Sequence, residues 1–426
     1  MPTTTPPKRT FWLTGAAIIF AALSFVTVAH ASSNHCQSPD DDVASEAIAS
    51  ESTADEPPTS EQCAAGVNAM AFELWGAIDH SDNATISPAS ISLAMSMILA
   101  GARGETADEL AEALHLSTGD DANRCWAALL KHWDELDAPD GLDFDVANRL
   151  FVERSIDIDQ DYLDLTDRFF NSGLDSMDFR GDADASRQQI NRWVEDATQD
   201  RIQDLLSPGA VTDETDLVAV NAIYLLGTWA DEFDPERTSD EPFHRTGGTD
   251  DEVAMMNQTN HFRYADTDAA QIVELPYDGD ELSMVILLPH ERDGLPDLEE
   301  NLDADTLDRL LDELSRTRVD LSLPRFQLDG DPIDLIDAFR SLGVQQLFHD
   351  ADLSGILDRR LFVNSIYHQA FIDVDEKGTE AAAATAVGGI GGVSSPTTFR
   401  ADHPFLFMIR DASTGALVFM GRVGNP

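Results

Sequence analysis

Residues 375 to 398 read Asp375-Glu376-Lys377-Gly378-Thr379-Glu380-Ala381-Ala382-Ala383-Ala384-Thr385-Ala386-Val387-Gly388-Gly389-Ile390-Gly391-Gly392-Val393-Ser394-Ser395-Pro396-Thr397-Thr398. The stretch joins two segments of strand character, and loops this long inside a compact domain are functional or disordered. A flexible Gly, Ala and Ser tether accounts for Gly388 to Ser395. It accounts less well for Gly378 to Ala386, where Thr379, Ala381, Ala383 and Thr385 alternate with Glu380, Ala382, Ala384 and Ala386. Laid out as a strand, this segment has one face of small residues only. Such a face can enter a crowded sheet interior without clashes, with Glu380 pointing to solvent. Gly378 then serves as a hinge free of side-chain restriction.

Outward from this stretch the chain alternates helical and strand signals. Residues 63 to 79 carry apolar positions at helical spacing. Ser87-Pro88 opens the apolar segment Ile91 to Ala100, a buried helix by its Ala and Met content, which Gly101 and Gly104 end. Glu105 to Leu116 reads as a helix. Ile190 to Leu206 is amphipathic, with Trp193, Val194, Ile202 and Leu205 as core candidates. Val218 to Leu226, Ser283 to Leu288, Val319 to Leu323 and Phe405 to Ile409 read as strands, the last three rich in residues that suit buried ones. Helices cluster early and strands late, which predicts an α+β fold with large sheets.

Charge narrows the function. The 426 residues hold 27 Lys+Arg against 79 Asp+Glu, a formal charge of −52. Of the acids 55 are Asp, and only Lys8, Lys131 and Lys377 are lysines. Such a surface repels nucleic acid and anionic lipid, so recognition through a basic patch is excluded. A hydrophobic content of 42% excludes a wholly disordered acidic chain. Asp excess with Lys depletion points to work in concentrated salt, where a short Debye length screens self-repulsion.

The first residues read as an address. Lys8 and Arg9 precede the apolar run Phe11 to Val28, and Ala29-His30-Ala31 is a small-x-small cleavage pattern. We expect a signal peptide over 1–31, cut after Ala31, and a secreted product, extracellular or periplasmic, with no membrane attachment afterwards. An uncleaved anchor is the alternative. Residues 32–62 read as an acidic disordered linker, and 63–426 as the folded domain. The mature cysteines are Cys36, Cys63 and Cys125, so at most one internal bridge forms. A Cys36–Cys63 bridge would tie the linker down.

Catalytic motifs are missing. There is no G-x-S-x-G elbow, H-E-x-x-H, P-loop or dinucleotide fingerprint. His290-Glu291 lacks a second His, Asp329-Gly330-Asp331 lacks EF-hand spacing, and the cysteines lack CxxC spacing. We therefore expect no enzyme, no cofactor and no metal.

Glu376 to Thr385 resembles the reactive-loop hinge of an inhibitory serpin of bacterial or archaeal type. The similarity covers nearly the whole chain after residue 63. Asn83 and Ser87-Pro88-Ala89-Ser90 match the family's buried shutter. Asn148-Arg149-Leu150-Phe151 matches a strand of its main sheet, and Ile190-Asn191-Arg192-Trp193-Val194 the helix crossing that sheet. Asn221 to Trp229 matches the strand leading to the breach, where the loop first enters. Phe399 to Phe407 and Phe419 to Pro426 fit the C-terminal signature and final strand.

The resemblance implies a serpin fold, with helices around three β-sheets and an exposed reactive-centre loop. It implies a suicide substrate: a serine protease cuts the loop, an acyl-enzyme forms, and insertion of the loop into the central sheet traps it covalently. Glu376, Gly378, Thr379, Glu380, Ala381, Ala382, Ala383, Ala384 and Thr385 then form the insertion hinge. Asn83, Ser87, Ser90, Asn221 and His368 belong to the shutter, and Trp229, Arg325 and Glu376 to the breach. Counting back from Phe405 places the scissile bond at Val393-Ser394, and counting forward from Glu376 at Gly392-Val393, with Ile390 a third candidate. A small aliphatic residue suits elastase- or subtilisin-like targets. The absence of Arg and Lys between Gly378 and Thr398 disfavours trypsin-like ones. The acidic surface disfavours a heparin-type polyanion, and a monomer is expected. The alternative is a non-inhibitory member whose loop is only cleaved.

Overall fold

The computed structural model describes residues 58–78, 82–136, 142–170, 173–248, 250–357, 363, 365–379 and 395–426. The amino-terminal half runs α1 (Ser60–Ala77), β1 (Asn83–Ile86), α2 (Pro88–Gly101), α3 (Gly104–Ala113), α4 (Asp120–Leu136), β2 (Leu142–Glu153), α5 (Gln160–Phe170), β3 (Leu174–Met177), α6 (Ala183–Ala197) and β4 (Leu217–Thr228). There follow β5 (Ser239–His244), β6 (Asp250–Asp266), β7 (Ala270–Pro276), β8 (Leu282–Pro289), α7 (Leu295–Glu300), α8 (Ala304–Asp312), β9 (Ser315–Pro324), β10 (Phe326–Leu328), β11 (Ile333–Asp334) and α9 (Ile336–Ser341). The chain closes with β12 (Ile366–Ala370), β13 (Ile372–Asp375), β14 (Gly378–Thr379), β15 (Thr397–Arg400), β16 (Phe405–Asp411) and β17 (Leu417–Val423).

Local chemistry starts the first helices. The Thr59 side chain accepts from the Gln62 N–H while the Gln62 side chain accepts from the Thr59 N–H, a capping box. This cap starts α1 at Ser60, three residues inside the expected linker. Ser87 caps α2 through the Ser90 N–H, with Pro88 in its first turn. That helix is buried on all sides from Pro88 to Leu99, as its unbroken apolar run requires.

Strands order as β1-β17-β16-β8-β7-β6-β9-β15 in one hydrogen-bonded ladder, with β5 on β6. The 17-residue β6 carries two of the fold's three sheets, pairing with β5 at its start, β9 along its middle and β7 at its end. The central sheet orders β10-β13-β14-β4-β12-β11, with β2 and β3 beyond β4. One core cluster joins α1 and α2 to one face of this sheet and to the ladder; a second packs α6 on the opposite face.

Ile190 to Leu206 is not one helix: α6 ends at Ala197, and residues 198–206 double back as a strap. Gln199, Asp200 and Asp204 take left-handed φ of 51°, 66° and 53° there, which turns Ile202, Leu205 and Leu206 into the second core. The helical spacing of those apolar residues arises from the fold-back.

The disulfide joins Cys63 to Cys125, not to Cys36. Side-by-side packing of α1 on α4 brings the two Cα atoms to 5.4 Å. Cys36 and the expected signal peptide lie outside the described residues. Among the described residues no helix is long and apolar enough to cross a membrane.

Candidate functional site at the mouth of the central sheet

The two halves of the long strand Ile366 to Asp375 have different neighbours. Its lower half, β12, pairs in parallel with β4 from Ile366↔Ala219 to Ala370↔Ile223. Its upper half, β13, is parted from β4 by β14. Gly378 pairs with Asp375 on one side and Thr228 on the other, and Thr379 with Val374 and Gly227. The sheet is closed below and wedged open above.

Gly378 is required where it stands. Its φ is +150°, and a Cβ there would lie 1.9 Å from the Gly227 carbonyl oxygen. Thr379 faces the buried side, 2% exposed, with its hydroxyl 2.7 Å from that of Tyr277. Tyr277 stacks on Trp229 at 4.7 Å and 15°, and its burial holds the phenol protonated by raising its pKa. A Cβ on Gly227 would meet the Tyr277 ring at 2.6 Å, so that glycine makes room for the aromatic pair. The sequence reading missed Tyr277 and Gly227; a glycine inside an apolar strand was the available signal.

The turn before β14 is fastened to the sheet. Trp229 donates its indole N–H to the Asp375 carbonyl at 3.0 Å and its backbone N–H to that of Lys377 at 2.7 Å. The Arg325 Nε lies 2.9 and 2.8 Å from the two Glu376 carboxylate oxygens, and Thr238 donates to the same carboxylate at 2.5 Å. Glu376 is 3% exposed. Burial pushes its carboxyl up, but the hydrogen bonds from Arg325 and Thr238 outweigh this and hold it below the ordinary range. The geometry thus brings together Trp229, Arg325, Glu376, Gly378 and Thr379.

A second cluster lies beneath the closed half. The Ser87 N–H donates to His368 Nε2 at 3.0 Å, and the Ser87 hydroxyl to the Val418 carbonyl at 2.7 Å. The Ser90 hydroxyl donates to Asn148 Oδ1 at 3.5 Å. Burial alone pushes the His368 imidazole down to about 3, so the ring is neutral. The Asn221 backbone pairs with His368 and with Asn148, in the register that closes the seam.

Asn83 does not join this cluster, contrary to expectation. It is exposed at the start of β1, where its side chain accepts from Gly424 N and Asn425 N at 2.9 Å and donates to the Asn425 carbonyl. β1 pairs antiparallel with β17, so Asn83 reaches the carboxyl-terminal tail. Asn148, read from sequence only as a strand position, stands in the cluster instead. Glu380, Ala381, Ala382, Ala383, Ala384 and Thr385, like Gly392, Val393 and Ser394, lie outside the described residues. Among the described residues no group of three or more His, Cys, Asp and Glu is placed to hold a metal.

Residues 65–426 match the family model described as Serpin (serine protease inhibitor). The chain is 38% identical to human Serpin B3 over 81% of this chain and 94% of that protein. It is 38% identical to human leukocyte elastase inhibitor over 86% and 100%. An uncharacterized serpin-like protein of Thermococcus kodakarensis is 36% identical over 84% and 85%. Among solved structures, uncleaved ovalbumin superposes with a TM-score of 0.77 at 28% identity, over 85% of this chain and all of that one. A sheet held open at one end by its own loop base, above a closed polar seam, accords with these matches, and the chain belongs to the serpin family.

Proposed function

We propose that the chain is a secreted, single-use inhibitor of elastase- or subtilisin-like serine proteases. The observation that carries this reading is the seating of Gly378 and Thr379 between β13 and β4. In this reading, a strand that continues from Thr379 turns Ala381, Ala383 and Thr385 to the buried face that Thr379 occupies. Each is small enough to follow it.

In this reading the protease serine oxygen attacks the carbonyl carbon at Val393-Ser394 or Gly392-Val393. The peptide C–N bond breaks, the leaving amine takes a proton, and an ester joins protease to inhibitor. The freed loop zips downward from Thr379, parting β4 from β12, and carries the bound protease with it. New sheet hydrogen bonds, each worth about 1 kcal/mol net, together with side-chain burial drive the step. Similarity to proteins named leukocyte elastase inhibitor and the small residues around Val393 support the target class. The 1–31 segment supports secretion, and the charge of −52 supports action in salt as a monomer without a polyanion.

A denaturing gel tests this. Mixed with elastase or subtilisin in high and low salt, the mature protein is expected to give a band at the summed mass that survives boiling in detergent. Loop cleavage without that band, across proteases and salts, makes the loop a substrate only. The run Gly388 to Gly392, which lowers strand propensity, favours that second reading.

A further inference from the structure

Helix α6 and its strap build a core with β2 and β4, and Tyr367 and Phe371 pack against that core from across the seam. Trp193 meets Phe151 of β2 edge-on at 5.5 Å and lies under Arg149 at 5.1 Å, and Val218 and Val220 of β4 line the same core. The strap is tied to α6. Asn191 bonds both the N–H and the carbonyl of Leu206, at 2.9 and 3.0 Å, and Arg187 donates to that carbonyl at 2.8 Å. Asp200 N–H returns to the Glu195 carbonyl at 2.7 Å.

Arg201 crosses to the other side. Its guanidinium carbon stands 5.7 Å from the centre of the Phe371 ring. Phe371 is the residue between β12 and β13, just past Ala370↔Ile223, the last pair of the closed seam, and below Val374↔Thr379, the last pair of the wedge. Asp373 follows on the same face. Burial and Asp375 raise its carboxyl, while the positive charges of Arg201 and Arg325 work against this. A strand entering the seam moves Phe371 away from β4 by one strand spacing, ~4.8 Å. A strap that keeps its anchorage on Val218 and Val220 of β4 loses the Arg201–Phe371 contact in that movement.

We propose that Arg201 is a positioning residue that clamps the fork of the sheet across the seam, setting how fast a strand enters. This inference rests on the insertion reading above. The left-handed turns at Gln199 and Asp200 fix where the side chain leaves the strap.

The test reads strand entry without a protease. A synthetic peptide with the sequence of residues 380–392 is incubated with the uncleaved mature protein, and its incorporation is followed on native gels. Arg201→Ala is expected to speed incorporation about 2–5-fold, the range a single cation–ring contact supplies. Arg201→Lys, which keeps a cation over the ring, is expected to stay within twofold of wild type. Heat resistance of the loop-cleaved form is expected to be the same for all three, because the contact is already lost there. Equal incorporation by wild type and Arg201→Ala, or equal destabilisation of cleaved and uncleaved forms, overturns the assignment alone. No incorporation into wild type overturns the insertion reading itself.

Discussion

The Thr379 hydroxyl lies 2.7 Å from that of Tyr277 on the buried face of the central sheet, inside the wedge between β13 and β4. Both residues of β14, Gly378 and Thr379, are therefore seated in the sheet, as the proposed insertion requires. Thr379→Arg places a long cation against Tyr277 and Gly227. We expect cleavage by elastase or subtilisin at a near-normal rate and loss of the detergent-stable complex, read on the same gel. Tyr277→Phe removes one hydrogen bond, and native stability should fall by about 1 kcal/mol in urea unfolding.

Gly378→Ala is the sharper test of the wedge. With φ at +150° and a Cβ 1.9 Å from the Gly227 carbonyl oxygen, alanine forces β14 out of the sheet. We expect a loss of roughly 1–3 kcal/mol in the native form and faster proteolysis near Thr379. Unchanged unfolding and proteolysis would show that β14 is not held in the sheet.

Glu376→Gln keeps the size of the side chain and removes the charge facing Arg325. Arg325 is about half exposed and rehydrates easily, so the expected loss is about 1–2 kcal/mol, below the value for a fully buried pair. The urea midpoint of the uncleaved protein checks it. An unchanged midpoint would mean that the pair does not hold the turn.

His368 makes the native state sensitive to acid. Its folded pKa of about 3 lies below the unfolded value, so between about pH 6.5 and 3 the unfolded chain binds a proton that the folded one refuses. Stability is therefore full above about pH 6.5 and declines as pH falls toward 3, by up to about 1.4 kcal/mol per unit. The carboxylate of Glu376, with its lowered pKa, adds its own loss only below its ordinary range. His368→Gln should flatten the slope between pH 6.5 and 5 in urea unfolding. A slope unchanged in that variant would exclude the imidazole as its source.

The Cys63–Cys125 bridge closes a loop with a sequence separation of 62. Its removal in Cys63→Ser/Cys125→Ser should lower stability by about 4 kcal/mol. Alkylation of the unreduced mature protein should label Cys36 alone, as peptide mass mapping would show. Labelling of Cys125 would contradict the pairing.

The alternation from Thr379 to Thr385, the capped apolar run after Ser87 and the β-rich runs near the carboxyl terminus are local patterns, and they carried the fold class and the expectation of a hinge. The signal-like start and the charge are equally local, written in composition. Three features belong to the tertiary structure because they depend on residues distant in sequence. Cys63 has two candidate partners until the packing of α1 on α4 selects Cys125. Asn83 looks like a shutter residue until β1 pairs with β17 and takes its side chain to Gly424 and Asn425. The wedge needs Gly227 and Tyr277 to shape the space that Gly378 and Thr379 fill, and side chains more than 100 positions apart meet only when the sheet forms. Periodicity records which face a residue presents; what stands opposite that face is decided by the long-range pairing of strands.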